Sequence, residues 1–324
     1  MFNLKIKQMM MNSAALLLGI TLLSGCAPTA PATSQATSPT ATTQGAATDP
    51  ATGGSTTGAS TTQAQADEND KLAQIKKAGK IVMGTSPDYP PNEFYILDAS
   101  GNKQIVGSDV MLGQAIADKI GVKLEIKATD FQGVLSNVQA GQIDMAIAGL
   151  TYTEGRKQSM QFSTGFVNES VEGFHGLMMT KETAAKYKTL DEIKSAKLTI
   201  GAQSGSIQAE MAYTVTDAMN VKLMGVLDAL ALALNAGDLD AVVVSTDNAI
   251  NMLATFPDFT ILPEETYNLD PEGKYNQNII GFPLGEEYQS LIAVANEVIE
   301  AAKADGTMEK WRQEALELAK KALE

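Results

Sequence analysis

Strand-like and helix-like segments alternate from residue 80 to residue 244, and this alternation limits the possible folds more than any other feature of the sequence. The strand-like segments are short apolar runs, whereas the helix-like segments are amphipathic and several of them end at a glycine. Such alternation is typical of βαβ units, in which mainly parallel sheets are covered by helices on both faces. We therefore predict an α/β fold, with Ser108 as the cap of the first long helix. The predicted strands are 80–84, 124–128, 143–148, 198–202, 221–226 and 239–244, and the predicted helices are 109–120, 131–140, 207–219 and 227–236.

One unit of helix, glycine and strand occurs twice in the chain. Residues 140–148 and 236–244 both contain Ala-Gly, then an Asp at the entry to an apolar strand. A duplication and the ordinary sequence pattern of αβ units explain this match equally well. In either case the strand ends at 149–151 and 245–247 become equivalent points. Open α/β sheets bind ligands beyond the carboxyl ends of their strands.

The part of the chain that carries this pattern runs from about residue 67 to residue 324. That length is near the size at which a single core stops growing and a chain divides. The whole chain has a formal net charge of −14 and contains no run of Lys or Arg. This charge argues against nucleic acid as a partner and against a basic membrane-binding face.

The first residues have the features of an export signal. Two lysines precede the apolar run at 14–23, and small residues follow it. Cys26 is the only cysteine, and it comes directly after Leu-Ser-Gly, a sequence that resembles the bacterial lipobox. We therefore predict a lipoprotein signal peptide at 1–25 and lipidation of Cys26. The expected location is the extracytoplasmic face of the cell membrane, with lipid as the only anchor.

Residues 26–66 consist almost wholly of Ala, Thr, Ser, Gln, Pro and Gly, with Asp49 as their one charged residue. A segment of this composition buries too little apolar surface to offset the entropy that ordering would cost. We predict a disordered tether that carries the folded body away from the membrane surface.

The sequence Gly-Leu-Thr-Tyr-Thr-Glu-Gly-Arg at 149–156 follows a predicted strand and leads into a helix that starts near Thr153. Backbone N–H groups at this helix start, the Thr151 hydroxyl and the Arg156 guanidinium are expected to converge on one anion. A guanidinium suits a carboxylate because its planar fork donates two parallel hydrogen bonds. An ordinary capped helix with a surface arginine has the same spacing, so both interpretations stay open on spacing alone.

A set of motifs extends over most of the body in a fixed order. It begins with Gly-Thr-Ser-Pro-Asp-Tyr-Pro-Pro-Asn-Glu-Phe at 84–94 and ends with Ala-Asp-Gly-Thr-Met-Glu-Lys-Trp at 304–311. Between them lie the motifs at 106–110, 130–133, 149–156, 161–163 and 203–206. This ordered set resembles the extracellular solute-binding proteins of the polar amino-acid ABC importers, family 3, which have the periplasmic-binding-protein type 2 fold.

The resemblance implies two α/β lobes joined by two inter-lobe crossings, near 172–177 and 276–281, which close on one amino acid. The implied boundaries are 67–173 for the first part of lobe 1, 174–277 for lobe 2 and 278–324 for the return segment of lobe 1. The implied partners are a free amino acid, an ABC permease and its ATPase subunit, since the chain has no Gly-x-x-x-x-Gly-Lys-Ser/Thr loop of its own. We expect a monomer without a cofactor.

The resemblance also implies roles for single residues. Tyr89 and Phe131 match the aromatic residues that enclose the ligand side chain. Arg156 matches the arginine that binds the α-carboxylate, and Gly149 and Thr151 match positions that contact the α-carboxylate and the α-amine. These five residues are therefore candidates for ligand binding.

The second lobe departs from the family pattern. Ser206 lies in a turn that is implied to offer further donors to the carboxylate, but Ser245 stands where the family usually has an Asp for the α-ammonium. Asp247 lies two residues further on and is a candidate replacement. In the first lobe, Ser86 stands where many relatives have an Asp that binds a cationic ligand side chain. The identity of the ligand therefore stays open, and the residues expected to decide it are Ser86, Glu93, Gln203 and Gln208.

Two other classes of function compete with the importer subunit. Dehydratase-type enzymes share the two-lobed fold, but the only histidine, His175, and the lipid-modified Cys26 leave no Cys/His nucleophile and no His/Cys metal cluster. A ligand-sensing receptor would normally be joined to a transmembrane helix, and no apolar run of that length follows residue 25. We therefore expect no catalytic residue and no metal site. The predicted function is capture of a polar or basic amino acid, with arginine or lysine slightly ahead of glutamine.

Overall fold

The computed structural model describes residues 69–166 and 173–322. The predicted signal peptide and the whole predicted tether, which includes Cys26, lie outside these residues, as does the start of the first predicted crossing. Within the described ranges, no helix has both the length and the apolar character that crossing a membrane requires.

The first five-stranded sheet takes strands from both ends of the folded body. Its strands lie in the order β5-β1-β6-β13-β7. β5, β1 and β6 are parallel, whereas β13 pairs antiparallel with β6 and with β7. Four strands thus share one direction and β13 runs the other way; we call this sheet with its helices lobe 1. The strands are β1 (Lys80–Thr85), β5 (Lys123–Ala128), β6 (Met145–Ala146), β7 (Met160–Phe162) and β13 (Gly281–Pro283).

The second five-stranded sheet has the same plan and is formed by one continuous stretch of chain. Its strand order is β10-β9-β11-β8-β12, and again the fourth strand, β8, is the reversed one. The repeated sequence unit therefore corresponds to β6 and β11, which occupy the same position in their sheets. We call this sheet with its helices lobe 2. Its strands are β8 (His175–Thr180), β9 (Ile200–Gln203), β10 (Val221–Met224), β11 (Ala241–Ser245) and β12 (Phe259–Ile261).

Helices and one small antiparallel sheet complete the two lobes. The small sheet, in lobe 1, consists of β2 (Asp88–Tyr89), β3 (Glu93–Leu97) and β4 (Lys103–Val106). The helices of lobe 1 are α1 (Lys71–Ala78), α2 (Ser108–Ile120), α3 (Phe131–Gln139), α4 (Glu154–Lys157), α11 (Gln289–Ala304) and α12 (Thr307–Lys321). Those of lobe 2 are α5 (Lys181–Ala184), α6 (Leu190–Ala196), α7 (Ile207–Val215), α8 (Leu227–Ala236), α9 (Ile250–Thr255) and α10 (Glu264–Tyr267). Short 3₁₀ turns occur at Ala218–Asn220 and Glu286–Tyr288.

Both faces of each large sheet are buried. On β1, Ile81 belongs to an apolar cluster with α2 and α11, while Val82 packs against the cluster of α3 on the opposite face. On β8, Leu177 and Met178 likewise belong to two different clusters. Burial on both faces explains why these strands read as continuous apolar runs. The prediction of mainly parallel sheets with helices on both faces is confirmed.

Several predicted boundaries need correction. Ser108 is the first residue of α2 instead of its cap, since Gly107 occupies the cap position and makes no side-chain bond. Helix α7 ends at Val215, four residues early, because Thr216 is extended and its hydroxyl donates to the Leu198 carbonyl at 2.8 Å. The strand predicted at 143–148 is reduced to the two residues of β6.

Candidate ligand-binding site

A cavity of about 390 Å³ lies where residues of the two lobes meet. Four residues of its lining were not predicted from the sequence, namely Asp88, Ala148, His175 and Ile207. Ten of the twelve predicted ligand residues line it: Ser86, Tyr89, Glu93, Phe131, Gly149, Thr151, Arg156, Gln203, Ser206 and Gln208.

The cavity lies at the carboxyl ends of the parallel strands, as expected for open α/β sheets. Ser86 follows the last residue of β1, and Gln203 is the last residue of β9. His175 reaches the same edge for a different reason: β8 is reversed, so its first residue pairs with Ser245, the last residue of β11. A local sequence pattern does not reveal this reversal, which is why His175 was missed.

Arg156 lies on the short helix α4, which starts next to Thr153 as predicted. The Thr153 hydroxyl accepts a hydrogen bond from the Arg156 backbone N–H at 3.1 Å. The guanidinium donates to the Thr151 carbonyl at 2.5 Å and, across the lobes, to the Gly205 carbonyl at 3.0 Å. It also stands 5.5 Å from the centre of the Phe131 ring. These contacts hold the guanidinium in one orientation at the cavity wall.

Burial lowers the pKa of Arg156 to about 10, because desolvation disfavours the charged form. Among the described residues no carboxylate forms an ion pair with Arg156, although Glu210 of α7 is near enough to raise its pKa and so to oppose part of the effect of burial. A buried cation without a paired anion is unfavourable, and an anionic ligand would relieve this cost. The site therefore has the chemistry to bind a carboxylate.

Gly149 brings the backbone close to an aromatic ring. Its φ is +54°, in the left-handed region that favours glycine. A Cβ at this position would lie 2.6 Å from Cε1 of Tyr89, so any larger residue would displace the ring. Thr151, two residues on, is only 5% exposed and also lines the cavity. In lobe 1, a small ligand can therefore reach the flat ring of Tyr89, the Gly149 backbone beside it and the Thr151 hydroxyl.

In lobe 2, helix α7 begins at the cavity wall. The Ser206 hydroxyl accepts from the Ala209 N–H at 3.1 Å and donates to the Gln203 carbonyl at 2.7 Å. Ser206 is therefore the cap of α7, and its one hydroxyl proton is already donated to the Gln203 carbonyl. Ile207 and Gln208, the first residues of α7, line the cavity. A helix start favours a negative charge nearby.

Acidic groups also border the cavity. Asp88 has a raised pKa because burial outweighs the hydrogen bonds that it accepts. Glu93 is 0% exposed and interacts with Asp109, which is buried beneath the cavity wall. Burial raises the pKa of Asp109 to about 6, although hydrogen bonds from the Gly149 N–H at 2.9 Å and from Glu93 oppose this shift. Two carboxyl groups and one guanidinium thus face the same small space.

Ser245 and Asp247 lie elsewhere. Ser245 lines an adjoining cavity of about 280 Å³ and a groove of about 640 Å³, but not the inter-lobe cavity. Asp247 lies beside Gly173, where a Cβ would come within 2.3 Å of its Oδ1. The structure therefore brings ten of the twelve predicted residues to the inter-lobe cavity and places these two outside its lining. The internal repeat placed both residues at the carboxyl end of β11, and Ser245 is the last residue of that strand. A position at a strand end does not determine which cavity a side chain lines.

The lining residue His175 is buried, with 5% of its surface exposed. Gln208 Nε2 lies 3.3 Å from its Nδ1. Burial lowers the pKa of His175, so its ring is neutral near pH 7. It therefore contributes a polar but uncharged surface to the site.

The profile of the bacterial extracellular solute-binding proteins, family 3, matches residues 81–316. The chain belongs to this family. The predicted family and the two-lobed fold are thereby confirmed. The family consists of substrate-binding proteins that act outside the cytoplasm, and it is not a family of enzymes.

Three relatives show what family members bind. The arginine-binding extracellular protein ArtP of Bacillus subtilis is 34% identical over 131 residues, which are 40% of this chain and 46% of ArtP, so the match spans less than half of that relative. A probable histidine-binding protein of Campylobacter jejuni is 27% identical over 240 residues, 74% of this chain and 86% of its own. The crystal structure of AbpA from Streptococcus pneumoniae bound to L-arginine has a TM-score of 0.66 and 28% identity, and covers 76% of this chain and 98% of that one.

Proposed function

We propose that this protein captures a polar or basic amino acid between its lobes, with arginine as the first candidate, and delivers it to an ABC importer. The observation that carries the proposal is the desolvated Arg156 guanidinium, which forms no ion pair with a carboxylate of the described residues and borders the inter-lobe cavity. A ligand α-carboxylate would supply the missing anion through two parallel hydrogen bonds.

The Glu93–Asp109 pair supports a ligand that also carries positive charge. Glu93 lines the same space as Arg156, and its hydrogen bond to Asp109 leaves the two acids with one shared proton and one negative charge. An α-ammonium group or a cationic side chain would offset that charge, and an arginine ligand offers both. The rings of Tyr89 and Phe131 provide flat faces on which a guanidinium packs well. The arginine bound to AbpA and the arginine-binding activity of ArtP are consistent with this choice.

Capture is expected to involve closure of the lobes. Arg156 contacts lobe 2 through the Gly205 carbonyl, and lining residues come from both lobes. A ligand that contacts both lobes favours the closed form, because it binds that form better than the open one.

A ligand screen tests the proposal. The melting temperature of the protein is measured with each of the twenty amino acids; a ligand at a hundred times its Kd adds about 2.7 kcal/mol to the free energy of unfolding. Calorimetry then compares arginine with agmatine, which lacks the carboxylate, and with citrulline, whose side chain is neutral. Arginine is expected to bind more tightly than both. If none of the twenty amino acids changes the melting temperature, the proposal is wrong.

Anchoring and delivery are further parts of the proposal. Leu-Ser-Gly followed by Cys26 supports attachment of lipid at that cysteine. Metabolic labelling with a fatty acid should mark the wild-type protein and not Cys26→Ala. The partner is expected to be a permease with its ATPase subunit, and ligand-dependent stimulation of ATP hydrolysis by that complex would test delivery.

A further inference from the structure

Asp88 of lobe 1 makes hydrogen bonds into lobe 2. Its Oδ2 accepts from the Leu227 backbone N–H at 2.8 Å and from Gln203 Nε2 at 3.0 Å. Its Oδ1 accepts from the Ser86 hydroxyl at 2.8 Å within its own lobe. The carboxylate is therefore held in place by one partner in lobe 1 and by two in lobe 2.

Leu227 is the first residue of helix α8, and this helix has no cap of its own. The cap position is occupied by Val226, whose side chain makes no capping hydrogen bond because it is apolar. The first N–H groups of a helix need acceptors from outside the helix. A carboxylate is also favoured at a helix start by the helix dipole. Asp88 meets both needs from the other lobe.

Asn248 makes a second bond between the same two segments. Its Nδ2, in lobe 2, donates to the Pro90 carbonyl, two residues after Asp88, at 3.0 Å. The segment from Asp88 to Pro90 is thus hydrogen-bonded to lobe 2 at two separate places. At both places the hydrogen bonds join one protein group to another.

We propose that Asp88 is a positioning residue that promotes lobe closure by capping α8 of the opposite lobe. When the lobes separate, the Leu227 N–H loses this acceptor and Asp88 loses two donors. The cap therefore contributes to the stability of the closed form whichever ligand is bound. This inference rests on the proposed function in one respect, namely that closure follows ligand capture.

The main alternative is that Asp88 recognises the positive charge of the ligand, since it lines the cavity. The two roles have different consequences. If Asp88 promotes closure, its loss changes the affinity for charged and neutral ligands by the same factor, because all ligands share the equilibrium between the open and the closed form. A charge-recognising residue changes the affinity for arginine and leaves that for citrulline almost unaltered.

The experiment compares Asp88→Ala and Asp88→Asn with the wild-type full chain, using arginine, citrulline and glutamine as probes in calorimetry. Loss of a helix cap costs about five-fold and up to about thirty-fold in an equilibrium constant. Asp88→Ala is expected to weaken every ligand that binds by one common factor in this range. Asp88→Asn is expected to recover most of the loss, because its amide oxygen still accepts from the Leu227 N–H.

Solution scattering without ligand gives a second readout that does not depend on the proposed function. Asp88→Ala should have a larger radius of gyration than the wild type, because the open form becomes more populated. Asp70→Ala is the matched control: Asp70 caps α1 within lobe 1 by accepting from the Ala73 N–H at 2.9 Å. Its loss should lower the melting temperature and leave both the ligand-free radius of gyration and the affinities unchanged.

Two results would overturn the inference. One is a loss of affinity for arginine alone, in both Asp88→Ala and Asp88→Asn. The other is an unchanged radius of gyration together with unchanged affinities in Asp88→Ala. If no amino acid binds the wild type, the proposed function fails, while the scattering comparison still decides whether Asp88 promotes closure.

Discussion

The two lobes share a sheet plan but contribute different chemistry to the cavity between them. Among the described residues, the acidic and arginine side chains that line it, Asp88, Glu93 and Arg156, all belong to lobe 1. Lobe 2 contributes His175, Gln203, Ser206, Ile207 and Gln208, of which His175 is neutral because burial lowers its pKa. A charged ligand is therefore expected to gain most of its electrostatic binding energy from lobe 1. Lobe 2 mainly encloses it.

The largest expected effect comes from removing the cation of lobe 1. Arg156→Ala should cost roughly 2–5 kcal/mol of binding, because the ligand carboxylate would remain buried without its partner. Arg156→Lys should recover little, since an ammonium does not present a planar fork. Calorimetry with arginine measures both variants. Arg312→Ala removes the other arginine of the chain, on α12, and should leave the affinity unchanged. Equal affinities in all three variants would show that lobe 1 does not bind the carboxylate.

The buried acids of lobe 1 give the next largest effect, and this one is on stability. Since the pKa of Asp109 is raised to about 6 from 3.8, the folded form binds a proton more tightly than the unfolded form. The stability that comes from this proton is fully present below pH 3.8 and is lost as the pH rises through 6. At pH 8 the folded protein therefore carries a cost of up to about 3 kcal/mol.

Asp109→Asn removes this cost and keeps an oxygen to accept from the Gly149 N–H. The free energy of unfolding of Asp109→Asn, relative to that of the wild type, should therefore rise between pH 4 and pH 8. Urea denaturation at several pH values measures it. A difference between the two proteins that does not vary with pH would contradict the prediction.

A smaller effect is expected where lobe 1 brings its backbone close to the Tyr89 ring. Gly149→Ala forces φ +54° on a residue with a Cβ, which should cost roughly 2 kcal/mol of folding stability, and it moves the Tyr89 ring that lines the cavity. Gly155→Ala is the matched control in the same segment, because the nearest atom to its added Cβ is Thr153 Oγ1 at 3.8 Å. Calorimetry should find weaker binding in the first variant only.

The smallest expected effect is at the strand end of lobe 2. Asp247→Asn should leave the affinity for every amino acid unchanged, since Asp247 is not part of the cavity lining. Binding of arginine and of glutamine to this variant checks the expectation. If the affinities for both collapse together, Asp247 holds the α-ammonium and lobe 2 does contribute a charge.

The sequence predicts local elements well where the pattern is local. Helix α8 has the predicted bounds because its apolar periodicity ends at Gly237, whose φ is +80°. The start of α4 near Thr153 was likewise predicted from the residues around it. β13 was missed because its three residues form a strand only by pairing with β6 and β7, more than a hundred residues away in the chain.

The site shows the same limit. Nine of the ten predicted lining residues lie in motifs that carry the resemblance, and Gln208 lies two residues after the motif at 203–206. Asp88 adjoins Tyr89 in one of these motifs, but its partners Gln203 and Leu227 belong to the other lobe. The direction of a side chain across a gap between lobes depends on how the lobes meet. That arrangement is not encoded in any short segment.

The reversed fourth strand of each sheet has a consequence for biosynthesis. β8 is the first strand of lobe 2, and β13 is the first strand after the chain returns to lobe 1. Lobe 2 is therefore one continuous stretch of chain from β8 to β12. Lobe 1, in contrast, is complete only with β13 and the two helices after it. Phe282 in β13 is fully buried in the core of lobe 1. Because synthesis proceeds from the N-terminus, the sheet of lobe 1 cannot be completed until β13 has been made, although lobe 1 begins first. The second lobe is inserted into it and has its whole sheet available earlier.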